Sequence, residues 1–323
     1  MKAIKLFTML MLFCAGSYAQ DSTDLLTQLE KQEPQKTIYT FATFKSTRLI
    51  TGHSVETIGK GVLDVRILHR FAPLNTGIYN FFGLDQASMR MGFDYGITKN
   101  IMIGIGHSTW QKTYDAFFKI KILRQSTGAV NMPVTVSFVS TMSIRSDFAG
   151  KDTFKIGNER FPRTIHTRFD AKTSYSEQLI IGRKFSDKFS MQIMPTYIFN
   201  LDRIDSVRLY TKNRDNVIYG EKRKNTVAIG IGGRLKVSKR VSINAEYYYQ
   251  IPGTRPDDKY YNYNSLSFGI DLETGGHVFQ MHFTNSNGMT EKTFIADTDN
   301  KWRNGAIRFG FNISRVFNIR KHK

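Results

Sequence analysis

The sequence predicts an all-β fold, a transmembrane antiparallel up-and-down β-barrel of about twelve strands, with fourteen as the alternative count. Three observations predict it. The first is strict alternation. In Thr226–Val237 the odd positions Val227, Ile229, Ile231, Leu235 and Val237 are apolar, while the even positions are small or charged. Strand side chains alternate faces with period two, so one face can meet lipid and the other water. The second is how the connections sort. Short turns at Ile97–Ile101, Phe185–Phe189, Val237–Val241 and Thr274–Gly276 alternate with long loops at 146–172, 202–224, 252–260 and 285–304. A barrel with short periplasmic turns and long extracellular loops has this asymmetry, and a soluble sandwich has no reason for it. The third is an export leader followed by no apolar run of the roughly 18 residues a membrane helix needs.

The leader comes first in the chain. Lys2 and Lys5 form a basic start, Leu6–Phe13 is apolar, and Ser17-Tyr18-Ala19 is a small-x-small cleavage site. Residues 1–19 are thus expected to be a signal peptide. Cys14, the single cysteine, leaves with it, so the mature chain can form no disulfide. Residues 20–36 are polar and read as a short periplasmic lead-in, 37–317 as the outer-membrane barrel, and 318–323 as a tail.

Thirteen strand candidates follow: Thr37–Lys45, Gly61–Phe71, Ala87–Thr98, Ile101–Trp110, Tyr114–Arg124, Asn131–Arg145, Thr173–Phe185, Phe189–Leu201, Asn225–Val237, Val241–Ile251, Tyr261–Glu273, His277–Thr284 and Gly305–Val316. Pro133 and Pro195 interrupt two of them, and proline donates nothing to a ladder. Both termini on one side of the membrane require an even number, which locates the error between Thr37 and Gln86 and gives the estimate of twelve. Aromatic residues make up 13% of the chain, enough to furnish girdles at both membrane interfaces.

With the apolar face outward, the inward face carries ten cations: Arg66, Arg70, Arg90, Lys119, Lys121, Arg145, Lys184, Arg234, Lys236 and Arg308. Six acids stand against them: Asp64, Asp94, Asp202, Glu246, Asp271 and Glu273. Such charges persist in a low-dielectric wall only when paired or hydrated, so the lumen holds water or a salt-bridge network. Gly92, Gly96, Gly104, Gly106, Gly230, Gly232 and Gly269 also turn inward, which suits a narrow interior. The formal charge is +19, falling by two to +17 when Lys2 and Lys5 leave. Behind an export leader this excess points to anionic lipid or solutes, or to plain solvation, and not to nucleic acid.

Thr37–Phe71 (TIYTFATFKSTRLITGHSVETIGKGVLDVRILHRF), Asn80–Gly104 (NFFGLDQASMRMGFDYGITKNIMIG) and Gly305–Phe317 resemble an uncharacterised outer-membrane β-barrel family of Bacteroidota. The resemblance implies an outer-membrane barrel and no established activity. The aromatic last strand, with Phe309, Phe311, Ile313 and Phe317, also resembles the signal that barrel-assembly machinery recognises during insertion.

Chemistry is thin. Gly52-His53-Ser54 and Gly106-His107-Ser108 are the candidates for a lipid-hydrolysing dyad, but adjacent strand residues face opposite ways, so neither triplet supplies its own. The expectation is no enzyme, no cofactor and no metal. Asp257-Asp258 and Asp297-Thr298-Asp299 read as solvated loop acids. Basic loops, Lys151–Arg168 and Arg203–Lys224, either grip lipopolysaccharide or are merely solvated. The functional expectation is a passive or weakly selective conduit for small anionic solutes of unknown identity. Its rivals are a closed scaffold blocked by side chains and a folded loop, and a lipid-modifying barrel enzyme.

Overall fold

The computed structural model describes residues 36–146, 173–200, 225–253 and 263–319, with the backbone of two further strand pairs, Asp152–Ile156 with Glu159–Arg163 and Val207–Thr211 with Arg214–Ile218. Twelve strands form the wall: β1 Val62–Pro73, β2 Ala87–Gly96, β3 Ile101–Ser108, β4 Thr113–Leu123, β5 Thr135–Arg145 and β6 Thr173–Lys184. The second half is β7 Phe189–Asn200, β8 Thr226–Lys236, β9 Val241–Gln250, β10 Ser265–Thr274, β11 His277–Thr284 and β12 Arg308–Asn318. Each strand pairs with its neighbours in sequence, and β12 pairs antiparallel with β1 to close the barrel. Closure leaves no strand edge unpaired, as a wall without water beside it requires. No helix among the described residues is long and apolar enough to cross a membrane.

The alternation holds throughout. In β2, Ser88, Arg90, Gly92, Asp94 and Gly96 are buried, while Met89, Met91, Phe93 and Tyr95 face outward. In β8, Thr226, Ala228, Gly230 and Gly232 turn in and Ile229, Ile231 and Leu235 turn out. All seven glycines assigned to the inner face are buried there. Pro195 lies within β7, facing outward. The β6–β7 ladder has a gap between the pairs Gln178–Thr196 and Ile181–Ile193, where proline lacks the N–H to bridge it. Asn131–Pro133 fall outside β5, which begins at Thr135.

Three expectations are corrected. Thr37–Lys45 is no wall strand: only Ile38–Tyr39 is extended, pairing with Ser126–Thr127 in the β4–β5 connection, and this removes the thirteenth strand. The connections sort less cleanly than expected. The turn between β3 and β4, residues 109–112, is short among long loops, and 124–134 is long among short turns. The loop 285–304 does not project outward: Met289–Ala296 and Thr298 are buried. Residues 20–35, Asp202, Asp257, Asp258 and the side chains of the basic loops lie outside the described residues.

Two inserts fill the barrel. Residues 40–61 enter from the mouth carrying the short turns, pass through the interior, and leave by the same mouth at β1. Their inner portion is a hairpin: Leu49 N–H donates to Gly52 O at 2.9 Å and Ser54 N–H to Thr47 O at 2.9 Å. The second insert is the β11–β12 loop, containing a π turn at Lys292–Ala296, which descends from the opposite mouth. Phe44, Leu49, Val55, Phe294 and Ile295 meet the inward Met102, Val139, Ile180, Met194, Ile198 and Tyr248 in one apolar cluster. A barrel core thus forms from wall and inserts together.

Candidate functional site

The lumen is the candidate site, and its wall grips the hairpin mainly by main-chain atoms. Glu246 of β9 accepts the N–H groups of Ile50, Thr51 and Gly52 at 3.3, 2.8 and 3.1 Å. Gln280 donates to Leu49 O at 2.8 Å and Asn312 to Ile50 O at 2.8 Å. Gln192 donates to His53 O at 2.7 Å and accepts from Val55 N at 3.2 Å, while Ser137 donates to Val55 O at 3.0 Å. A carboxylate taking successive N–H groups makes charge-assisted bonds, roughly twice as strong as neutral ones. Buried main-chain groups of a non-strand segment need partners of this kind, or the segment would not remain inside.

The inner-face cations are largely committed. Arg66 donates to Asp64 at 2.6 Å and to Thr47 Oγ1 of the hairpin at 2.8 Å, and its Nε lies 4.0 Å from Asp94. Arg70 donates to Asn312 and to Thr51 Oγ1, each at 3.0 Å. Arg90 forks onto Asp115 with Nε and Nη2. Its guanidinium lies over Gly92 and Gly106, where an added Cβ would come within 2.6 and 2.3 Å of it. Lys119 donates to the carbonyls of Thr47 and Glu56, and Lys121 pairs with Glu56 at 3.3 Å. Arg234 reaches Ala42 O at 3.4 Å, Arg308 reaches Phe71 O at 3.1 Å, and Arg145 and Lys236 are half-buried at opposite ends of the wall. Lys184 pairs at 3.0 Å with Asp187 in the β6–β7 turn, and this hydrogen bond and its charge hold Asp187 below the usual carboxylate range.

Among the acids, Asp64 also accepts from Ser314 at 2.7 Å, and Asp271 accepts from Gln280 at 3.0 Å. Glu273 pairs with Lys45 of the insert. Sequence reasoning omitted Asp115, Glu56, Arg48 and Glu291. Asp115 alternates with the outward Tyr114 and Ala116 and was findable by parity. The other three sit on the inserts, where no strand period applies.

The two inserts meet at one buried ion pair. Arg48 donates to Glu291 at 3.1 Å, both side chains being 1% exposed, and the same guanidinium nitrogen donates to Thr51 O at 2.9 Å. His53 Nε2 stands 3.5 Å from the same carboxylate, and its ring meets Phe117 edge-on at 4.6 Å. Tyr248 touches both inserts: its ring packs edge-on against Phe294 at 5.1 Å, and its hydroxyl fills the space beside Gly52. A cavity of about 350 Å³ remains at the short-turn mouth, lined partly by Lys45, Glu56, Asp64 and Glu273. A smaller one, about 120 Å³, lies near Arg70, Ser88, Asn287 and Arg308.

Neither Gly-His-Ser triplet forms a dyad. Ser54 donates to Ser46 O at 2.6 Å, Ser108 accepts from Trp110 N at 3.2 Å, and His107 packs outside against Tyr114 at 4.3 Å. No three metal-ligating side chains converge among the described residues.

No curated protein matches the chain. Among solved structures it is similar to an outer membrane channel from Pseudomonas putida F1 (TM-score 0.48, 11% identity, 81% of this chain and 98% of that one). It is also similar to the NanC porin (0.43, 9%, 79% and 98%) and to the CymD monoaromatic hydrocarbon channel (0.42, 11%, 82% and 90%). Likenesses this distant carry nothing about cargo. A family model for a membrane-bound β-barrel domain (DUF5777) matches residues 44–317, a span that takes in the hairpin insert as well as the wall. The chain belongs to that family of membrane-bound β-barrel domains.

Proposed function

We propose that this chain is an outer-membrane barrel, exported by its Met1–Ala19 leader, that rests closed with its own two inserts as the stopper. On this reading its contacts with other molecules, anionic lipopolysaccharide included, are made at the long-loop face. The observation that supports it is the seating of residues 49–55, whose main-chain groups are held by Glu246, Gln280, Asn312, Gln192 and Ser137. An open conduit has no use for wall residues matched to a peptide. Planar-bilayer recording tests this: the protein is expected to be nearly silent, and steady conductance in the untreated protein overturns the reading.

A conduit for small anions is the second reading, for the state in which the hairpin has withdrawn. Its support is the inner wall, where ten cations face six described acids once Asp115 is added and Asp202 set aside. Reversal potentials under a salt gradient, in a variant that conducts, separate anion preference from none.

A further inference from the structure

We infer that Arg48 and Glu291 form a relay between the two mouths, so that displacing the β11–β12 loop from the long-loop side loosens the hairpin that entered from the opposite side. The inference rests on the closed-lumen reading and adds a direction of control to it.

The two inserts arrive from opposite ends, and among the described residues Glu291 is the group through which the loop forms ion pairs with the hairpin. Arg48 serves both parts of the contact: one nitrogen holds Glu291 and also Thr51 O in the hairpin turn, whose neighbours Glu246 grips. Losing Glu291 therefore removes the carboxylate to which this buried guanidinium is hydrogen-bonded, leaving it Thr51 O, the Phe117 face at 5.7 Å and the longer-range charge of Asp94. A guanidinium so placed is costlier than either the intact pair or an apolar replacement of both members. The hairpin then favours water, where Arg48 is solvated. Tyr248 supplies a second link by packing, since Phe294 on one side and Gly52 on the other fix the same ring. Packed elements of this kind have discrete arrangements, so loop and hairpin shift together.

The loop itself is held by fewer polar contacts. Gln250 donates to Ile295 O at 2.6 Å, Ser88 to Asn287 at 2.9 Å, and Asn285 to Asn264 O at 3.0 Å. Asn285 and Asn287 are themselves buried, so a molecule at the long-loop face acts on the exposed stretch that follows, Asp299, Lys301, Arg303 and Asn304. Removing the loop breaks these together with Tyr263 N–H to Thr298 O at 2.7 Å, Leu266 N–H to Asn285 at 2.9 Å and Trp302 Nε1 to Leu266 O at 3.0 Å, and it exposes the ion pair that ties it to the hairpin.

The test uses the full chain in proteoliposomes, with Cys14→Ser and a single reporter, Val55→Cys, on the buried returning leg of the hairpin. A water-soluble maleimide reads how often that leg opens. Slow labelling of this parent, rising roughly tenfold or more with Glu291→Gln, is the expected result, because the buried Arg48 loses its hydrogen-bonded carboxylate. Arg48→Met with Glu291→Leu is expected to return the rate toward the parent's. Should Glu291→Gln not fold, as judged by migration of unboiled protein, Glu291→Asp is read in its place, since it keeps the charge and shortens the reach. Slow labelling in both parent and Glu291 variant overturns the relay while sparing the closed lumen. Fast labelling in the parent overturns the closed lumen itself.

Discussion

The Tyr248 hydroxyl occupies the space where a side chain at position 52 would begin, 1.9 Å from an ideal Cβ on Gly52. That ring is buried, edge-on to Phe294, and its oxygen lies 3.2 Å from the Met194 sulfur, so it has little room to retreat. Gly52→Ala is therefore expected to destabilise the seated hairpin by about 1–3 kcal/mol, the usual cost of overpacking. Increased proteolysis within residues 40–61 at unchanged barrel melting checks it, and equal protection of variant and parent refutes it.

Glu246→Gln keeps the shape and removes the charge. The amide oxygen can still accept, but the amide NH2 then faces main-chain donors that need an acceptor. A loss of about 2–3 kcal/mol in hairpin seating is expected, since the lost bonds are charge-assisted. Bilayer recording should show openings in this variant, and a silent trace matching the parent counts against it.

In the wall, Arg90 and Asp115 form a buried fork across β2 and β4, reached over the small β3 residue Gly106. Arg90→Met strands Asp115 and is expected to cost about 3–5 kcal/mol, whereas Arg90→Met with Asp115→Leu recovers most of it. Urea unfolding followed by loss of β circular dichroism in detergent measures both. An Arg90→Met variant as stable as the parent would show the fork to be dispensable.

At the outer rim, the Asn225 amide donates to the Tyr197 hydroxyl at 2.7 Å, and Asn264 does the same to Tyr247 at 2.8 Å. Each ties an interfacial ring to the start of the next strand. Tyr197→Phe or Tyr247→Phe should cost about 0.5–1.5 kcal/mol, read as a lower barrel melting temperature. No shift in either variant would mean the bonds exchange freely with water.

Wall strands were legible because a two-sided surface writes its own period: the inward Arg66, Arg70, Arg90 and Lys119 can be counted from parity alone. The inserts were not legible, and the reason is the polar lumen. In Ser286–Thr293 polarity reads as exposure, yet the interior of this barrel is itself polar and welcomes such residues. Residues 37–45 are rich in Thr, Tyr and Phe, the composition of a strand, yet they lack its two-residue period, and beyond Ile38–Tyr39 they form none. Glu246 could be assigned to the inner face, while its role in holding Ile50–Gly52 required knowing that a chain lies opposite it.

Both ends of the hairpin insert are fastened at one mouth, by Thr40 N–H donating to Gln125 O and by Gly61 N–H donating to Gly96 O, each at 2.8 Å. Whatever expels the segment leaves it on a double leash a couple of dozen residues long, so its return is a first-order event independent of how many copies share the membrane. A free peptide competing for the same seat faces a tethered rival with an effective concentration on the order of millimolar.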